Sequence, residues 1–192
     1  MVALPLLLSL APASAGSSRD AAAAEGAGAP LVVVRDTPVA PPLQLATLSG
    51  GTFALSVEGG ATIVHFFATW CEPCRVELPA LGRFAARHPR VRVVLVDVAE
   101  VEASIQRFFA TLPGGAAPFS HVLLDRDRSA ARTWGVSLLP ATFVVAGGRL
   151  RFSAEGEVDW DGVPVSRLIG PLAEASPARG MKASQITSQE ER

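Results

Sequence analysis

The chain has 192 residues, 49% of them hydrophobic, with two cysteines and a formal net charge of −1 at a pI of about 6.3. A balance this close to neutral argues against a nucleic-acid partner or a polybasic membrane patch. Two cysteines, with His65, His88 and His121 at no ligand-like spacing, fall short of the four ligands of a structural zinc site.

Residues 1–15 form an apolar run ending in Ala13-Ser14-Ala15, a small-residue pattern that predicts a signal peptide cleaved after Ala15 and hence a periplasmic protein. The run is too short to span a bilayer comfortably. No Lys or Arg precedes it, so a longer true N-terminus acting as a membrane anchor stays open. Residues 16–37, rich in Gly, Ser and Ala up to Pro30, read as a flexible linker. Residues 38–174 suit one domain with one core. Residues 175–192 are polar, contain Pro177 and Gly180, and predict a disordered tail.

Leu43 and Leu45 alternate, Ser49-Gly50-Gly51 turns the chain, and Phe53 and Leu55 alternate again, which predicts a hairpin. Ile63 to Phe67 reads as a central strand, with His65 its one polar break. A helix over 74–88 follows, with a stripe of Leu78, Leu81, Phe84 and Ala85. Pro79 within it should kink the helix without ending it. Residues 90–98 predict a second buried strand. Val101, Ile105, Phe108, Phe109 and Leu112 predict a helix that stops at Pro113-Gly114-Gly115. A short strand at 121–125, a helix at 129–134, strands at 141–146 and 149–154, and a helix at 165–173 complete the pattern. Strands alternating with helices imply βαβ units and a mainly parallel core.

The chemistry gathers at Trp70-Cys71-Glu72-Pro73-Cys74, where a strand hands over to a helix. Unpaired N–H groups and the helix dipole favour negative charge there. Cys71 is therefore expected to have a lowered pKa, within the roughly 3.5–7.5 range of activated Cys-x-x-Cys thiols. Cys74, one turn in, is expected to be more buried and to act as the resolving thiol. A Cys-x-x-Cys with this strand-and-helix context points to redox chemistry.

Residues 66–81, Phe-Phe-Ala-Thr-Trp-Cys-Glu-Pro-Cys-Arg-Val-Glu-Leu-Pro-Ala-Leu, resemble the thioredoxin superfamily, and within it the extracytoplasmic TlpA/ResA-like thiol-disulfide oxidoreductases. The Glu72-Pro73 dipeptide, Glu77 and Pro79 all fit that group's motif. Leu138-Leu139-Pro140-Ala141-Thr142-Phe143 resembles the cis-proline loop and following strand of the same fold. The resemblance spans roughly residues 38–174. It implies an α/β thioredoxin-like fold: a central mixed sheet flanked by helices, an N-terminal β-hairpin, and an inserted helix-strand unit at about 100–125.

The resemblance also implies roles. Glu77 would be a buried acid that tunes thiol titration; a solvated helix charge is the alternative. Trp70, Glu72, Pro73, Leu139 and a cis Pro140 would face substrate. His65 stands where thioredoxin has a buried acid, and reads either as a core histidine bonded to backbone or as a proton relay. His88, near a helix C-terminus, is expected to be stabilised only by the dipole. The implied activity is reduction of protein disulfides without organic cofactor or metal, by a monomer. Its client would be apocytochrome c or a copper-site assembly protein, and its electron donor a membrane thiol-disulfide carrier. A disulfide-forming oxidase or isomerase and a copper-binding metallochaperone are the alternatives. A peroxiredoxin would need a Pro-x-x-x-Thr-x-x-Cys setting, which is absent.

Overall fold

A computed structural model gives the structure of the protein over residues 28–58 and 60–174. The apolar run 1–15, residues 16–27 of the expected linker, and the tail 175–192 lie outside the described residues.

The fold is built on the strand that ends at the cysteines. This strand, Thr62–Phe67, is buried at every residue. Successive side chains of a strand point to opposite faces, so Ile63 and Phe67 enter one core while Val64 and Phe66 enter another. In chain order the strands are β1 Val32–Val33, β2 Gln44–Ala46, β3 Thr52–Ala54, β4 Thr62–Phe67, β5 Arg92–Val98, β6 His121–Asp125, β7 Ala141–Ala146 and β8 Arg149–Glu155. The helices are α1 Glu72–Arg87, α2 Glu102–Thr111, α3 Ser129–Thr133 and α4 Val163–Glu174. Six strands form one sheet in the order β1-β8-β7-β4-β5-β6.

The sheet is mixed. β4 pairs in parallel with β5, and β5 with β6, while β4–β7, β7–β8 and β8–β1 are antiparallel. The expectation of a mainly parallel core therefore holds only for the β4-β5-β6 half. Ala146-Gly147-Gly148 allows β7 to return directly as β8, with φ of 60° and 68° at the two glycines, and such a tight return makes an antiparallel pair.

Helices α1, α2 and α4 contribute Leu78, Leu81, Phe84, Ile105, Phe109 and Ile169 to the core on one face. The short α3 and the β2–β3 hairpin cover the other face with Ala130, Ala131, Leu43 and Phe53. The hairpin turns at Gly50 and Gly51, whose φ values of 89° and 88° suit glycine. It docks beside β6 through Leu48 N–H to the Val122 carbonyl, 2.8 Å.

Four expectations need correction. The flexible linker expected over 16–37 ends sooner, because residues 29–40 run along β8. Val32 and Val33 pair with Ser153 and Phe152, and Val34 and Ala40 donate to the Arg151 and Gly148 carbonyls, each at 2.9 Å. The pairing satisfies backbone groups that an open edge of β8 would leave bare. Val101 is not part of the α2 stripe: it is the N-cap and 68% exposed, while Ile105 and Phe109 are buried. His88, the C-cap of α1, is held by more than the helix dipole. Its ring packs on Phe84 at 4.4 Å and its Nε2 lies 3.3 Å from Ser166 Oγ. Helix α1 begins two residues earlier than expected and runs on through Pro79.

Candidate active site

Cys71 is the N-cap of α1, with extended backbone at φ −78°, ψ 108°. Its Sγ accepts the N–H of Cys74 at 3.3 Å, and its carbonyl accepts the N–H of Arg75 at 3.1 Å. The sulfur thus occupies the position where a helix start offers unpaired donors. Pro73 falls in the first turn, where no intrahelical N–H is needed. Cys71 and Cys74 form a disulfide. Cys71 is 6% exposed and Cys74 fully buried, so an attacking molecule meets Cys71 first.

A cleft of about 500 Å³ opens over Cys71. Trp70, Glu72 and Pro73 line it from the α1 side and Leu139 from the opposite side. Trp70 is 71% exposed, a large apolar ring left in solvent beside the sulfur. The Leu139–Pro140 peptide bond is cis. Pro140 is buried and its carbonyl accepts the Gly156 N–H at 2.8 Å, so it holds the loop while Leu139 meets the cleft. Glu72 is exposed and 3.7 Å from Arg75, an exposed pair that contributes little to stability.

Glu77 is absent from the cleft lining. It projects from the same helix into the core and is 1% exposed, so it is not a solvated helix charge. Its Oε1 accepts the indole N–H of Trp160, and its Oε2 has no hydrogen-bond partner among the described residues. Burial pushes the carboxyl up to about 7, against the opposing pulls of the Trp160 indole and the Val158 backbone. Its raised pKa places the change between neutral and ionised forms near neutral pH, one helical turn from Cys74.

His65 is wholly buried, with Nδ1 3.0 Å from Thr142 Oγ1 on the neighbouring β7 and Nε2 without a partner among the described residues. Its partner is a side chain, where a backbone partner was expected. Burial lowers its pKa to about 3, so the ring stays neutral across the physiological range and is a poor base. That favours the core-histidine reading over the relay.

A second acidic arrangement, not foreseen from the sequence, supports the loop ahead of Cys71. Glu100 accepts the Thr69 N–H at 2.5 Å and the Thr69 hydroxyl at 2.6 Å. Asp97, at the end of β5, accepts the Glu100 N–H at 3.2 Å and is itself buried. Burial, reinforced by Glu100, pushes the Asp97 carboxyl up to about 8. The buried Asp125 beside them caps α3 through the N–H groups of Ala130 and Ala131, at 3.0 and 2.8 Å. Trp160 was also missed as a site residue; its one sequence signal is a lone aromatic in a polar loop. Among the described residues no group of three or more His, Cys, Asp or Glu is arranged to hold a metal ion.

Comparison with known proteins accords with this geometry. The chain is 36% identical over 115 residues to a protein of Paracoccus denitrificans named thiol:disulfide interchange protein DsbE homolog, covering 58% of this chain and 61% of that one. It is 32% identical over 125 residues to the thiol-disulfide oxidoreductase ResA of Bacillus subtilis, covering 63% and 61%. The matches therefore span 61% of the length of each of these two curated relatives. In three dimensions it resembles a Chlorobium tepidum crystal structure described as a thiol:disulfide interchange protein DsbE. There the TM-score is 0.64 at 25% identity, over 71% of this chain and 96% of that one. The expected thioredoxin-like fold is thus present. Residues 38–153 match the AhpC/TSA family model. Because that span takes in the hairpin, the cysteine-bearing turn, the inserted α2–β6 unit and the cis-proline loop, the chain belongs to the AhpC/TSA family.

Proposed function

We propose that this chain is an extracytoplasmic protein disulfide reductase, monomeric, working through a Cys71–Cys74 dithiol. The observation that carries the reading is Cys71 at the α1 N-cap on the floor of a cleft, with its disulfide partner sealed behind it. The names of its relatives, thiol:disulfide interchange protein and thiol-disulfide oxidoreductase, support it. A peroxidase reading of the family lacks its motif: Val64 and Ala68 stand where proline and threonine would precede Cys71.

In the working direction both cysteines start reduced. The Cys71 thiolate attacks one sulfur of a client disulfide, forming a mixed disulfide and releasing the other client sulfur as a thiolate. Cys74 loses its proton and attacks Cys71, which frees the second client thiol and leaves the Cys71–Cys74 disulfide. Glu77 is the group proposed to take that proton, through its raised pKa and its place one turn from Cys74. Trp70, Glu72, Pro73 and Leu139 border the client, and Pro140 fixes the Leu139 loop. A reductase in an oxidising compartment must be recharged, and a membrane thiol-disulfide carrier would supply the electrons. The client class is a protein disulfide, with apocytochrome c or a copper-site assembly protein as the specific candidates.

The test is the reduction potential of the pair, from equilibration in dithiothreitol buffers and counting of alkylated thiols by mass. A reductase is expected near the thioredoxin value of about −270 mV. A potential near about −120 mV, that of a strong oxidant, would replace the proposal with disulfide formation.

A further inference from the structure

Charge is distributed unevenly around the cleft. Glu72 lies near Arg75, and Arg126 pairs with Glu102. Arg128 lines the cleft from the loop before α3 and enters no ion pair among the described residues. Its neighbour Asp127 is already engaged, accepting the Ser129 N–H at 3.1 Å. Asp125 is buried beneath and spends its oxygens on α3. Apart from Glu72, the other lining residues are apolar or neutral, Val98, Ala99, Val136, Ser137 and Leu138 among them. The cleft lining therefore carries one cation, Arg128, in no ion pair among the described residues, and one carboxylate, Glu72, which Arg75 meets from outside the lining at 3.7 Å.

The backbone at Arg128 makes the residue more telling. It sits in the left-handed region at φ 62°, ψ 20°, and its side chain makes no capping bond. Glycine or asparagine takes that conformation more readily. Neither local conformation nor helix capping accounts for an arginine here, at a residue that lines the cleft.

We infer that Arg128 is a specificity-determining residue that selects clients whose reactive cysteine is flanked by an aspartate or glutamate. This rests on the disulfide-reductase reading above. The client segment lies across Cys71 with its apolar side chains on Val136 and Leu138 and its carboxylate on the Arg128 guanidinium. Exposed pairs of this kind are weak, so the expected discrimination is modest: about threefold to fivefold against a neutral neighbour, and larger against a lysine.

The experiment uses full-length reduced protein and three symmetric disulfide-linked dimers of acetyl-Xaa-Cys-Gly-amide, with Asp, Asn or Lys as Xaa. Each turnover converts the protein dithiol to the Cys71–Cys74 disulfide and the dimer to two peptide thiols, which are read by chromatography. Rates are divided by those of dithiothreitol on the same dimers, which removes the intrinsic reactivity of each peptide. Wild type is expected to favour Asp over Lys by about fivefold or more at low salt, and by less at 0.5 M salt, where screening is strong. In Arg128→Gly, whose backbone suits the left-handed turn, the Asp/Lys ratio should fall to about one. In Arg128→Glu it should invert. An Asp/Lys ratio equal in wild type and Arg128→Gly, with all three dimers reduced, would overturn charge selection and leave the reductase reading standing. Failure of wild type to reduce any dimer would overturn both.

Discussion

Glu77→Gln isolates the energetic consequence of burying a carboxyl beside the redox pair. The side chain is 1% exposed with its pKa raised from 4.5 to about 7. Below pH 4.5 the carboxyl is protonated in both folded and unfolded chains and contributes no pH dependence. Between 4.5 and about 7 the unfolded chain ionises first, so it binds fewer protons than the folded one and stability falls as pH rises. Above about 7 both forms are ionised and the loss is complete. At about 1.4 kcal/mol per tenfold, the full displacement corresponds to a loss of about 3 kcal/mol. Gln has nearly the same shape and still offers an oxygen to the Trp160 indole, but it cannot ionise. The oxidised variant should therefore gain on wild type by about 3 kcal/mol between pH 4.5 and pH 8. Urea unfolding at half-unit pH steps, with the disulfide intact, measures both curves. Asp97 is present in both proteins and cancels in the difference. Parallel curves for wild type and Glu77→Gln would refute the buried-acid account, and with it the proposed route for the Cys74 proton.

The remaining predictions concern neighbouring groups. Asp97→Asn should stabilise the protein above pH 8 and have no effect below pH 4, because the Asp97 pKa is raised from 3.8 to about 8 and the amide oxygen can still accept the Glu100 N–H. The same urea series reads it, and a variant less stable than wild type at pH 9 would contradict it. Trp160→Phe removes the one side-chain donor to Glu77 among the described residues and should cost about 1.5–3 kcal/mol at pH 8, where Glu77 is ionised, and less at pH 5. An equal cost at both pH values would mean that lost packing, not the hydrogen bond, dominates. Cys74→Ser should trap a dithiothreitol-sensitive adduct between Cys71 and its client on non-reducing gels, while Cys71→Ser captures much less because Cys74 is fully buried. Equal trapping by both variants would reverse the assigned roles of the two sulfurs.

Local patterns determined most of this protein. The β-branched runs at 62–67 and 92–98, the stripe of Leu78, Leu81 and Phe84, and the turn glycines state their own secondary structure, since each depends on neighbours within a few residues. The redox site was equally legible, because Cys71, Pro73 and Cys74 occupy one turn whose geometry follows from a strand meeting a helix. Tertiary structure decided what depends on residues distant in the chain. Glu77 could be read as solvated or buried, and only the arrival of Trp160, 83 positions later, settles it. Val32 and Val33 look like linker until β8 offers them a free edge. The Glu100 clamp on Thr69 and the place of Arg128 in the cleft lining likewise exist only because β5, β6 and the loops after them converge on the end of β4. Periodicity reports which face of an element is apolar; which charge meets which partner, and at what cost in desolvation, is fixed by packing between elements.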